Sequence, residues 1–391
     1  MNVKRRRMSH EAGTSWRLLL VAVMALAAAA ASSPVTAQPV AWIVKDVGSG
    51  NQAMYGVAVG PGRNDGVNRV YGANLDVHLY EFTYEGEAWT ELDVGRGNED
   101  ADGLTAVTIG VGRPDGVIRV YATQYWRYNF GWINEFTYTA GSWSRNFISR
   151  NNWGTTWGAA VGDARGDGTP RVYVIGGSTS KEICEFTYSV GLWDQVLVQV
   201  AEGTWRGIAM GAGRNDGVQR LYAGNHDGHV YEFSYSEGSW HQADLGSVPD
   251  QMRAVTVGDG RNDGVSRVYA ANADGHVYEF SFTGSAWEQV DVGSGGLEMR
   301  AVAVGPGRGD GVMRVYGGNE DRQVYEYTYA EGTWIKTRMG DAGSMVWSVA
   351  VGDGRNDGVS RVYAAGEDGH VLEFSYSGFD TVSIFFPVVL R

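Results

Sequence analysis

A quartet of charged residues recurs seven times in this chain. Two arginines beside two carboxylates could hold a metal ion, clamp an anion or pair with one another. The first arginine is Arg63, Arg113, Arg165, Arg214, Arg261, Arg308 or Arg355, and an aspartate follows two residues later, from Asp65 to Asp357. The second arginine comes six residues after the first, from Arg69 to Arg361, and a glutamate completes each set, from Glu81 to Glu373. A catalytic centre is a single asymmetric constellation, so a balanced quartet needed once per repeat is expected to pair charges within or between the repeats. Other chemical motifs lose force against this repetition. Gly60-x-Gly62-x-x-x-Gly66 is one residue longer than a dinucleotide loop and precedes a strand instead of a helix. Arg165-Gly166-Asp167 and Arg308-Gly309-Asp310 spell an adhesion tripeptide, but they fill the slot where sister repeats have Arg-Asn-Asp. His78, His229, His276 and His370 share one hairpin position in four repeats, so they are expected to diverge and not to share a metal. The sequence has no Gly-x-Ser-x-Gly nucleophile elbow and no zinc-ligand spacing.

The elements that position these residues follow from the repeat. Steps of 47 to 52 residues between the turn arginines have the length of a propeller blade. Each unit parses into four strands. An inner strand of small residues, such as Val349-Ala350-Val351-Gly352, leads to a second strand with Arg-Val-Tyr. An Asp-Gly hairpin then opens a third strand reading Val-Tyr-Glu-Phe, and an outer strand carries a tryptophan. The expected fold is all-β, a seven-bladed β-propeller of four-stranded blades. Outer-strand tryptophans stand at Trp42, Trp89, Trp143, Trp193, Trp240, Trp287 and Trp334; the first precedes any inner strand, and the last repeat lacks one. Residues 41–50 copy 286–295, so an N-terminal outer strand should complete the C-terminal blade and leave no open sheet edge.

The turn Gly162-Asp163-Ala164-Arg165-Gly166-Asp167-Gly168-Thr169-Pro170-Arg171-Val172-Tyr173 resembles the FG-GAP/VCBS repeat of secreted and integrin-type propellers. That resemblance implies loops whose alternating aspartates bind calcium through oxygen ligands. Here the family's middle acidic position is arginine in every repeat, so no cofactor is expected, and Asp163 and Asp167 are the one place where calcium comes into question. In architecture and repeat length the chain is also similar to tachylectin-like propeller lectins.

Three segments are expected: a signal peptide over 1–37, the propeller over 38–378 and an apolar tail over 379–391. Lys4, Arg5, Arg6, Arg7 and Arg17 precede an apolar run from Leu18 to Ala31, and Val35-Thr36-Ala37 offers a cleavage site. The protein is therefore expected to be secreted, periplasmic or at the cell surface, with no membrane insertion after cleavage. Losing five cations and Glu11 takes the net charge from -13 to -17, which argues against nucleic acid as a partner. The single cysteine, Cys184, occupies a position held by tyrosine in other repeats and reads as a packing residue. The tail alternates Val382, Ile384 and Phe386 with Ser383 and Phe385, as an added edge strand or an attachment segment would.

Function should sit where the repeats disagree. Repeat 2 replaces its short hairpin with an insertion containing Tyr125, Trp126, Arg127, Tyr128 and Trp132, and the next connection brings Asn152, Trp153 and Trp157. These residues are expected to form an aromatic platform for a glycan or an extracellular protein. A second candidate is the mouth of the central channel, lined by Tyr55, Thr105, Trp157, Arg206, Arg253, Arg300 and Trp347, where three adjacent arginines favour an anionic ligand such as an acidic sugar. The leading expectation is a non-catalytic binding module. The alternatives are a polysaccharide lyase or hydrolase using the channel mouth, or an adhesive or structural display scaffold.

Overall fold

The computed structural model describes residues 41–98, 101–125, 131–151, 155–176, 181–200 and 203–379. The expected export segment, the tail from 380 on, and Trp126, Arg127, Tyr128, Asn152 and Trp153 lie outside the described residues.

Seven four-stranded antiparallel sheets make up a seven-bladed β-propeller. Blades 1 to 6 span residues 54–96, 103–151, 156–200, 205–247, 252–294 and 299–341. Blade 7 takes three strands from 346–376 and its fourth from Trp42–Ser49, which pairs antiparallel with His370–Tyr376, Trp42 opposite Tyr376 and Val44 opposite Phe374. The orphan tryptophan strand thus closes the ring, as its sequence indicated.

The turn before each second strand uses left-handed residues, and in blades 3, 5 and 7 an aspartate (Asp163, Asp259, Asp353) caps it. In blade 7, Asn356 and Gly358 have φ of 58° and 81°, and Asp353 accepts the Asp357 and Gly358 N–H groups at 3.2 and 2.8 Å. Such a turn aims both arginines inward at one buried glutamate. Arg355 Nε donates to Glu373 at 2.7 Å, Arg361 lies 3.8 Å from the same carboxylate, and Arg361 also forms a fork on Asp357 at 2.9 and 2.7 Å. Glu373 is fully buried, and so are its counterparts in the other blades.

The turn arginine also crosses to the following blade. Arg63 lies over Tyr138 at 4.6 Å, Arg165 over Tyr235 at 4.1 Å, Arg214 over Phe282 at 4.6 Å and Arg308 over Tyr376 at 4.4 Å. Arg355 of blade 7 lies over Tyr84 of blade 1 at 4.4 Å, so the closing joint is stapled like the rest. The recurring quartet therefore pairs charges within blades and clamps neighbours together.

The core is a set of layers between blades. Val47, Met54, Phe82, Tyr363 and Val371, for example, fill the joint between blades 7 and 1. Near the axis the inner strands approach so closely that a Cβ on Gly207 would come within 2.6 Å of Val255 N, which is why small residues dominate there. Cys184 is buried between blades 2 and 3 and hydrogen-bonded by Gln195.

Candidate functional site

Every inner strand carries a β-bulge near its start. The register shifts fall at Met54/Gly56, Leu104/Ala106, Thr156/Gly158, Trp205/Gly207, Met252/Ala254, Met299/Ala301 and Val346/Ser348. The residue inside each bulge is Tyr55, Thr105, Trp157, Arg206, Arg253, Arg300 or Trp347, and these seven line a single cavity of about 160 Å³. A bulge re-aims the side chain of its extra residue. Here it turns one residue per blade into the channel mouth, on a scaffold that is otherwise uniform at this position. The whole second candidate from the sequence is brought together.

In six blades, the residue that follows the second strand or ends it forms a second tier: Leu75, Tyr125, His226, Ala273, Glu320 and Glu367. The tiers interlock to form a belt. Trp347 stacks on Tyr55 with centroids 4.2 Å apart and planes 18° apart, and its Nε1 donates to Glu367. On Trp347 also lies the Arg300 guanidinium at 4.4 Å. Arg300 pairs with Glu298 at 3.0 Å and Glu320 at 3.5 Å, and Glu298 also receives Arg253. His226 Nε2 accepts from Arg206 Nε at 2.8 Å and faces Arg253 Nη1 at 3.3 Å, while Arg206 lies over the Trp157 ring at 3.7 Å. Tyr125 stands beside Trp157 with centroids 6.5 Å apart. The belt breaks at Thr105, whose hydroxyl is engaged by Thr123 at 2.9 Å and by the Thr156 carbonyl. Among the described residues, the small Thr105 side chain is what stands between the rings of Tyr55 and Trp157 on the cavity wall.

Electrostatics single out one guanidinium. Arg253 and Arg300 have carboxylate partners, whereas among the described residues no carboxylate lies in ion-pair range of Arg206. Burial, then the charges of Arg253 and Arg300, push its pKa down to about 10, so it stays cationic at neutral pH. Burial and the same two kinds of neighbour, Arg206 and Arg253, push His226 down to about 4 and keep it neutral. Tyr55 is raised, first by burial and then by Glu367.

Of the aromatic platform, Tyr125 and Trp157 join the channel mouth. Trp132 is buried and packs against Phe147 with centroids 4.8 Å apart, so it belongs to the packing of blade 2. His78, His229, His276 and His370 each face their own blade's aspartate, at 2.8 to 3.1 Å. At the proposed calcium turn, Asp163 accepts the Gly166 and Gly168 N–H groups at 2.8 and 2.6 Å, and both Asp167 oxygens are held by Arg171 at 2.8 and 2.6 Å. The Arg171 hydrogen bonds hold Asp167 far below the usual carboxylate range. A guanidinium sits where the ion's charge would be needed, so these residues do not fit calcium. Among the described residues there is no group of three or more His, Cys, Asp or Glu that could hold a metal ion. His226 was not singled out by sequence reasoning; its mark is that a histidine stands where other blades have Leu75, Ala273, Glu320 or Glu367.

No protein-family model matches the chain, and no curated protein matches it.

Proposed function

We propose that this protein is an exported binding module that seats a sugar residue of a glycan at the mouth of the propeller channel. One observation carries the reading. Seven equivalent bulges present seven side chains to one cavity, and their chemistry is the part of the repeat that is not repeated. A scaffold that keeps its packing residues uniform and varies the residues around a single concavity is arranged for recognition at that concavity. Thr105 stands between the rings of Tyr55 and Trp157, and flat aromatic faces beside hydrogen-bond donors suit a pyranose ring. Among the described residues, the rim carboxylates are engaged, Glu298 and Glu320 by arginines and Glu367 by the Trp347 indole, which favours binding over acid-base hydrolysis. The FG-GAP/VCBS-like turn and the basic-then-apolar N-terminus support an extracellular setting, where such glycans are found.

A glycan array on the full chain tests the reading, beside the Thr105→Trp variant. Blades 3 and 7 carry tryptophan at this same bulge, so the substitution suits the backbone while putting a bulky ring between those of Tyr55 and Trp157. Array binding that Thr105→Trp abolishes is the expected result. Binding unchanged in Thr105→Trp would move the site elsewhere, and release of shortened products from the bound glycan would make the protein an enzyme.

A further inference from the structure

We infer that the ligand is a carboxylate-bearing sugar, that Arg206 receives its carboxylate, and that His226 is the positioning residue that leaves Arg206 free to do so. The inference rests on the binding function proposed above and specifies its ligand class.

The comparison is between equivalent positions of one molecule. In blade 6 the bulge arginine, Arg300, has a second-tier glutamate, Glu320, at 3.5 Å, and it also shares Glu298 with Arg253. In blade 7 the second-tier residue is Glu367, held by the Trp347 indole. Blade 4 alone combines a bulge arginine with a second-tier histidine. A neutral imidazole offers one lone pair, at Nε2, which accepts the Arg206 Nε–H, and no countercharge. Trp157 covers a face of the guanidinium at 3.7 Å. Among the described residues the two Nη groups of Arg206 have no hydrogen-bond acceptor, and Arg206 lines the cavity. The result is a guanidinium fixed at Nε and on one face, whose parallel N–H fork has no partner among the described residues. That fork matches the two oxygens of a carboxylate.

Arg253 Nη1 lies 3.3 Å from the same His226 Nε2, so two guanidiniums converge on one neutral acceptor. A glutamate at 226 would satisfy Arg206 internally, as Glu320 does for Arg300. Blades 6 and 7 already accommodate glutamate at this position, so the backbone tolerates it. The protein as a whole is acidic, with a formal net charge of -13, so an anionic glycan is drawn in by this local cation and not by the long-range field.

The test is calorimetric titration of the full chain with glucuronate-, galacturonate- and sialate-terminated oligosaccharides, each beside its neutral methyl ester and a sulfated neutral sugar. At least one acid should bind tenfold or more tighter than its ester and than the sulfated sugar. Arg206→Met, which keeps the stem on Trp157, should cost at least tenfold. His226→Gln, which retains an acceptor, should bind within about threefold of wild type. His226→Glu should lose at least tenfold while its melting temperature is unchanged or higher. Esters binding as tightly as acids, with Thr105→Trp still blocking both, would leave the glycan site standing and overturn the carboxylate assignment. Tighter binding of the sulfated sugar would overturn it equally. Undiminished binding by His226→Glu would remove His226 from its role. No binding by any probe would refute the inference, and the array then decides separately whether a sugar site exists.

Discussion

Replacing Arg355 by alanine removes the staple at the joint where the chain's two ends meet. Glu373 is fully buried and would lose its two shortest ionic hydrogen bonds, while Tyr84 of blade 1 would lose the guanidinium 4.4 Å above its ring. Removing one partner of a buried pair typically costs about 3 to 5 kcal/mol, because the remaining charge is left uncompensated. Glu373 keeps Tyr363 OH at 3.4 Å and Arg361 at 3.8 Å, which places the loss toward the lower end, about 3 to 4 kcal/mol. An unfolding entropy of about 2.1 cal/mol/K per residue over roughly 340 ordered residues gives about 0.7 kcal/mol/K, so the melting temperature should fall by about 4 to 6 °C. Arg308→Ala is the internal control, because Arg308 makes the same contacts with Glu326 and Tyr376 between blades 6 and 7. Scanning calorimetry should show the two variants equal within about 1 kcal/mol, each with a single transition, since a closed ring has equivalent joints. A cost below about 1 kcal/mol for Arg355→Ala beside a full cost for Arg308→Ala would refute the closure argument.

Further outcomes follow from the same geometry. A chain beginning at residue 52 lacks the strand that pairs with His370–Tyr376 and should lose cooperative unfolding in denaturant; retention of one sharp transition with the wild-type midpoint would contradict the pairing. Cys184 is buried and burial pushes its thiol well above the ordinary range, so it should resist DTNB in the folded protein and react fully in guanidinium; rapid labelling of the native protein would contradict its placement. His226 has a folded pKa of about 4 against 6.5 when unfolded, so the unfolded chain binds the extra proton between those values. Its contribution is full above pH 6.5 and declines as pH falls through that window. The stability of wild type relative to His226→Gln should therefore drop between pH 6.5 and 4, and a constant difference would contradict the buried neutral imidazole. Asp216 and Asp263 are each held at about 2 by hydrogen bonds from Arg220 and Arg267, so their stabilisation, present above 3.8, is lost as pH falls toward 2.

Much of this architecture is legible in the sequence because a repeat states each constraint seven times. The period fixed the blade, the missing outer tryptophan pointed to Trp42, and the balanced quartet implied charge pairing within or between blades; that both arginines converge on a buried glutamate was added by the structure. The channel residues were also legible as a set, since Tyr55, Thr105, Trp157, Arg206, Arg253, Arg300 and Trp347 occupy one column of the repeat. The bulge that turns them inward was not. It depends on a single extra residue against the partner strand, and the strand text reads the same with or without it. Trp132 shows the opposite limit: an aromatic cluster in an insertion has the same spacing whether its rings are displayed or, like Trp132 on Phe147, buried. His226 is not legible in the repeat, because it stands outside the position of the four repeated histidines and its meaning depends on a contact with Arg206 that no local spacing encodes.

The most direct test of the account is a crystal structure of the chain with a glycan identified on the array. The account predicts a sugar ring between Tyr55 and Trp157, above Thr105, with a carboxylate on the Nη groups of Arg206. Density for the sugar at the outer rim or on another face of the disc, with the channel mouth empty, would contradict it.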